Sequence, residues 1–211
     1  MKLLLIIGLF LGSISIIGQS NDSVSFLDFN LLSKSTIEFR GTSTINTFYF
    51  SSASLKGNGA FIINNNLDDS TYYADISVYV KSFDSGSKML NSDMYEALKY
   101  DKYPTINFKL VKINNIEKSG GSKQNFNANI TGVLTVAGKS NNMKIDFNIR
   151  ELSDSTFYLK GNKSISMRDF NVDPPSKLFG LIQVADTLNI NFNLYVELKK
   201  SYFYSTPMIM K

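Results

Sequence analysis

The 211-residue chain has no cysteine, no histidine and no tryptophan, and these absences exclude much chemistry. Without cysteine there is no thiol nucleophile, disulfide framework or thiolate metal site. Without histidine there is no Ser-His-Asp or Cys-His arrangement, no two-His-one-carboxylate iron site and no ordinary catalytic zinc. An enzyme would be left with carboxylate, tyrosine, lysine or Ser-Lys chemistry. Charge is sparse as well: 19 % of residues are charged against 13 % aromatic, the balance of a core-forming chain and not of a disordered one. The net charge of +4 comes from scattered lysines without a basic tract or an Arg-rich helix, so nucleic acid is not an expected partner. The length fits one domain.

Lys2 precedes an apolar run from Leu3 to Ile17. A positive end followed by a short apolar segment reads as a secretory signal peptide. A spanning helix needs ~20 apolar residues, and no stop-transfer charges follow. Cleavage after Gly18 is expected, giving three segments: 1–18 removed, a domain over 19–198, and a short C-terminal extension, 199–211. The expected location is periplasmic or secreted, with no transmembrane segment in the mature chain. An exported domain without disulfides is held by its core alone.

What is plentiful is two-residue periodicity. Leu188, Ile190, Phe192, Leu194, Val196 and Leu198 alternate with Asn189, Asn191, Asn193, Tyr195 and Glu197, a strand with one buried and one wet face. The pattern recurs at Ala74, Ile76, Val78 and Val80; at Ile106, Phe108 and Leu110, where a phase shift at Val111 and Ile113 predicts a bulge; at Ile130 to Val136; at Ile145, Phe147 and Ile149; and at Phe157 and Leu159. Shorter candidates are Ile37 with Phe39, Phe48 with Phe50, and Phe61 with Ile63. Gly57-Asn58-Gly59, Ser119-Gly120-Gly121-Ser122, Gly138-Lys139 with Asn141-Asn142, and Gly161-Asn162 read as turns. Eight or nine amphipathic strands with short connections predict an all-β antiparallel barrel or sandwich. One segment departs: Asp93 with Glu96 resembles a capping box, and Met94, Ala97 and Leu98 share a helical face, predicting a short helix near 91–101.

Three blocks carry a family resemblance. They are Asn91-Ser92-Asp93-Met94-Tyr95-Glu96-Ala97-Leu98 running to Tyr103-Pro104-Thr105-Ile106-Asn107-Phe108; Gly132-Val133-Leu134-Thr135-Val136-Ala137-Gly138; and Arg168-Asp169-Phe170 ahead of the last strand. In order and spacing the chain resembles the YceI-like family of exported proteins over roughly residues 33 to 198. The resemblance implies a lipocalin-like antiparallel barrel of about eight strands that holds a long apolar molecule, such as a polyisoprenoid or fatty amide. It also allows a homodimer. Many members open with Asp-x-x-His-Ser, which would fall near Leu31 to Thr36. Here that histidine is missing, so no headgroup contact through it carries over.

The inward faces fit a ligand cavity or a simply filled core equally well, since about eight strands can enclose either. If there is a cavity, the expected wall residues are Ile76, Val78, Val80, Ile106, Phe108, Leu110, Phe147, Phe192 and Leu194, with Arg168 and Asp169 orienting a headgroup at the mouth or forming a solvated turn. Lys139, Lys144 and Lys163 are candidate phosphate contacts or merely a wet face. The expected function is a non-catalytic carrier of an isoprenoid or fatty-acyl lipid that needs no cofactor. Two alternatives stand beside it. One is an envelope protein-interaction module with a filled barrel. The other is a carboxylate-dependent hydrolase using Asp68, Asp69, Asp84, Asp93, Asp101 or Asp154.

Overall fold

The structure is a computed structural model that describes residues 25–63, 71–119 and 125–202. The N-terminal apolar run, Asp68-Asp69, the Gly120–Ser122 part of one expected turn and the chain beyond Tyr202 lie outside the described residues. In chain order the elements are β1 (Ser25–Leu31), β2 (Thr36–Thr42), β3 (Thr47–Ser52), β4 (Leu55–Ile63), β5 (Thr71–Tyr79), α1 (Lys88–Ala97), β6 (Thr105–Ser119), β7 (Asn125–Val136), β8 (Lys139–Ser153), β9 (Thr156–Ser166), β10 (Ser176–Lys177), β11 (Ile182–Gln183) and β12 (Thr187–Tyr202).

Ten of these strands form one sheet in the order β1-β4-β5-β6-β7-β8-β9-β12-β2-β3, and it closes because β1 also pairs with β12. Both β1 and β2 pair with the same edge of β12, at Val196–Tyr202 and Asn189–Asn193 respectively, so they are one long strand broken at residues 32–35. The β3–β4 pair continues likewise across residues 53–54. The result is the expected antiparallel eight-stranded barrel. Closure removes most of the open edge that another chain could extend; β3, last in the order, pairs with β2 on one side and on the other meets the chain at the Ser51–Asp84 bridge. β12 continues to Tyr202, past the expected domain end at 198.

The bulge predicted after Leu110 is present and is double. Register shifts fall between Leu110 and Lys112 and between Ile113 and Asn115. Val111 is the extra residue and is exposed, whereas Ile113 and Ile116 return to the interior.

Two expected turns are instead mid-strand. Gly57-Asn58-Gly59 lies within β4 and Gly161-Asn162 within β9. At Gly59 a Cβ would run into the Phe29 ring and the Tyr73 carbonyl, and at Gly161 it would lie 2.7 Å from the Phe147 ring. These glycines make room for inward rings. The β7–β8 turn does form, centred on Ala137 (φ 48°) and Gly138 (φ 79°), both in the left-handed region that a two-residue hairpin demands; Asn141-Asn142 belongs to β8.

α1 begins at Lys88, not near residue 91, because Ser87 caps it: the Ser87 hydroxyl accepts from the Leu90 N–H at 3.4 Å. Asp93 is therefore mid-helix and caps nothing. The approach is pinned by paired Ser51–Asp84 backbone hydrogen bonds of 3.0 and 2.9 Å and by the Asp84 carboxylate, which accepts from Asn91 Nδ2 at 2.7 Å and Gly86 N–H at 2.9 Å. The Asn91 amide hydrogen bond, then the Gly86 N–H, holds the Asp84 carboxyl below its ordinary value. On the outer wall, asparagines with poor strand propensity form cross-strand bonds instead. Asn114 Nδ2 donates to Asn129 Oδ1 at 2.7 Å, and Asn148 Nδ2 to Asn127 Oδ1 at 2.7 Å.

Candidate functional site: an apolar barrel interior and its polar mouth

Period-two strands put every second side chain inside a closed barrel, and here they enclose a cavity of about 760 Å³. All six apolar residues of the Leu188–Leu198 series line it, as do Ile37, Phe39, Phe48, Phe50, Ile145, Ile149 and Leu159. Five polar residues touch it: Ser43, Asn46, Ser77, Asp93 and Lys177. Toward the end remote from α1, Leu27, Phe29, Phe126 and Phe157 are buried. The barrel is thus hollow along much of its length, which decides between the two interiors open to the sequence.

Of the nine wall residues expected from sequence, Ile76, Val78, Ile106, Phe108, Leu110, Phe147, Phe192 and Leu194 line the cavity. Val80 does not. β5 ends at Tyr79, and Val80 starts a 3-10 turn. The turn carries its side chain into a packed cluster with Phe50, Val78, Phe83 and Met94, where it is 1 % exposed. Period two fails there because the strand has stopped.

Arg168 and Asp169 are exposed on a second 3-10 turn, Arg168–Phe170, and neither lines the cavity. Asp186 holds this turn: its carboxylate accepts from Ser166 Oγ at 2.5 Å and from the Arg168 backbone N–H at 3.0 Å. The Ser166 hydrogen bond foremost keeps the Asp186 carboxyl below its ordinary value. Phe170, not Arg168 or Asp169, turns inward, buried at 2 % and lining the cavity. Lys139 and Lys144 are exposed, and neither they nor Lys163 lines the cavity.

The charged pair actually at the mouth is Lys177 with Asp93, Nζ to Oδ1 2.9 Å. It joins the β10–β11 hairpin to α1 across the opening. Hydrogen bonding to Asp93 and then its charge raise the Lys177 ammonium above the ordinary lysine value. Nothing local in sequence marks this pair, since its members are 84 positions apart. Met94, Ala97 and Leu98 turn their shared face to the cavity as expected, and Pro175 lines the opposite side of the mouth. Of the carboxylates considered for hydrolysis, Asp84, Asp101 and Asp154 are exposed, and among the described ones only Asp93 reaches the cavity. Within that cavity Asp93 therefore has no second described carboxylate opposite it, which a glycosidase pair requires. Among the described residues no helix is long and apolar enough to cross a membrane.

Residues 27–196 match the YceI-like domain. Among solved structures, BcnA of Burkholderia cenocepacia is similar at 21 % identity and TM-score 0.58, covering 77 % of this chain and 96 % of that one. A polyisoprenoid binding domain from Saccharophagus degradans, implicated in plant cell wall breakdown, is similar at 14 % identity and TM-score 0.60, covering 81 % and 98 %. At these identities the likeness is one of fold. No curated protein matches the chain.

Proposed function

The chain belongs to the YceI-like family, and on that premise we propose that it is an exported, non-catalytic carrier holding a long apolar molecule, an isoprenoid or fatty-acyl lipid, inside its barrel. One observation carries this reading: the cavity of about 760 Å³ is apolar except for Ser77 and the polar residues near its mouth. A methylene takes up about the volume of a water molecule, roughly 30 Å³, so the space is of the size needed by about 25 carbons. Each buried CH₂ contributes ~0.8 kcal/mol, so a sixteen-carbon tail gains on the order of 13 kcal/mol before the cost of ordering it. Recognition of such a tail requires no hydrogen bonds, consistent with a wall that offers almost none. The polyisoprenoid-binding relative of the same fold supports an isoprenoid as one cargo class. The Lys177–Asp93 pair stands where a polar headgroup would emerge. The Lys2 and Leu3–Ile17 leader supports release into the periplasm or beyond.

The test is native mass spectrometry of the protein purified from its own envelope fraction, followed by organic extraction. A discrete adduct that extraction releases as a lipid is expected. A bare mass from gently handled material, together with no lipid uptake at micromolar concentration, would sink the carrier reading.

A further inference from the structure

The five most exposed large apolar side chains among the described residues are Ile45, Met89, Leu178, Phe179 and Leu181, with Phe179 at 110 %. All five belong to segments around the mouth. Thr44 Oγ1 donates to the Leu181 carbonyl at 3.0 Å and the Thr44 N–H to the Gln183 carbonyl at 3.0 Å, so the β2–β3 turn bearing Ile45 abuts the β10–β11 hairpin. The Lys177–Asp93 pair ties that hairpin to α1, with Met89 one helical turn before Asp93. Ile45, Met89 and Leu178 also line the cavity, so apolar side chains reach from the interior to the rim beside the polar Ser43, Asn46, Asp93 and Lys177.

The hairpin breaks a local rule to present these residues. Leu178 and Phe179, at φ 53° and 56°, both occupy the left-handed region in a turn closed by the Gly180 N–H on the Lys177 carbonyl at 3.2 Å. Such positions favour Asn and Gly, and bulky apolar residues there are strained. Neither is buried: both are exposed, with Leu178 at the edge of the cavity.

We propose that this rim dips into the surface of a lipid bilayer, so that cargo passes between membrane and barrel without crossing water. This rests on the carrier reading. A bilayer fits better than a second copy of the chain: the exposed apolar side chains are gathered on one rim formed by the β2–β3 turn, α1 and the β10–β11 hairpin, a small patch beside the roughly 800 Å² per partner of a stable protein interface, while a small apolar face suffices for shallow burial at the headgroup–acyl boundary.

The chain's lack of tryptophan makes the test direct. Phe179→Trp, and separately Tyr73→Trp on the outer wall, are made in the protein as isolated from its cell. Each is mixed with phosphatidylethanolamine–phosphatidylglycerol vesicles. The indole at 179 is expected to shift its emission to shorter wavelength and be quenched by brominated phospholipid, and the indole at 73 to do neither. Phe179→Asp with Leu181→Asp is expected to weaken vesicle partitioning by about tenfold per side chain. N-phenyl-1-naphthylamine, a small apolar dye, reports cavity filling separately in every variant, so a failed cavity and a failed rim give different results. Dye uptake with unshifted emission at 179 overturns the rim proposal and leaves the carrier reading standing. Equal partitioning of the double aspartate variant also overturns it, as does a dimer, seen without vesicles, that the same variant dissociates.

Discussion

Ala128→Leu separates a hollow barrel from a filled one by the sign of its effect. Ala128 lies on β7 opposite Ile116 on β6 and Phe147 on β8, and its methyl lines the cavity. In a filled core, three added carbons force neighbours off their rotamers and cost about 1–3 kcal/mol. In a hollow barrel they extend into the cavity and are removed from water. At ~0.8 kcal/mol per carbon the gain is about 2.4 kcal/mol, reduced by ~0.5–1 kcal/mol of lost rotamer freedom. The net is about 1.5 kcal/mol, or roughly 3–6 °C in Tm for a domain of this size. The assay is thermal and urea unfolding of delipidated protein, wild type beside variant, with an unchanged m-value showing that only stability has moved. The same substitution takes up about 90 Å³ at roughly 30 Å³ per carbon, so in a fatty-acid series the longest chain retained should shorten by about three carbons. A variant destabilised by 1 kcal/mol or more, with the chain-length limit unmoved, would refute a hollow interior.

Further predictions follow from named contacts. Lys177→Ala releases the hairpin from α1 and is expected to speed exchange of a bound acyl probe several-fold with little change in Tm, measured by stopped-flow fluorescence; an unchanged exchange rate counts against a mouth strap. Because the Lys177 ammonium is raised above the ordinary lysine value of 10.5, its bond to Asp93 is fully present below that pH and lost as pH climbs through the raised value, so the same exchange should accelerate only in strongly alkaline buffer. Asp84 has the opposite sign. Its carboxyl is held below 3.8, so its support of the α1 approach is complete above that pH and lost as pH falls through the lowered value. Hydrogen exchange at the Gly86 amide should rise there in wild type and already be raised at neutral pH in Asp84→Ala. Gly59→Ala sets a Cβ against the Tyr73 carbonyl and the Phe29 ring. Since the carbonyl belongs to the sheet and cannot step aside, it should destabilise by at least the 1–3 kcal/mol of ordinary overpacking, read as a shifted urea midpoint.

The cavity wall was legible in sequence because it is written locally. Alternation at Ile76, Val78, Ile106, Phe108, Phe192 and Leu194 follows from the strand repeat alone, and the double bulge shows itself as a break in that alternation. Glycine was ambiguous. Gly57-Asn58-Gly59 and Gly161-Asn162 have turn composition, but whether a glycine ends a strand or shelters a ring from the next one depends on Phe29 and Phe147, whose positions are tertiary facts. Val80 failed for a related reason: its apolar parity continued after the backbone had left the strand, so burial persisted while the lining role did not.

The mouth was illegible in a more instructive way. Arg168 and Asp169 stand out in one dimension as an adjacent charge pair in a block ahead of the last strand. The fold spends that turn on placing Phe170 inward and leaves both charges to solvent. Lys177 and Asp93 meet only because a hairpin and a helix from distant parts of the chain approach the same opening. A wall needs repeated side chains on neighbouring strands, so period two suffices to encode it. A gate needs different elements to converge, and convergence leaves no periodic trace. On the proposed carrier reading, the chemistry that selects a tail is therefore spread along all the barrel strands. On the same reading, the chemistry that governs its passage is confined to a few side chains on the β2–β3 turn, α1 and the β10–β11 hairpin, and substitutions there should change exchange rates far more than affinity or stability.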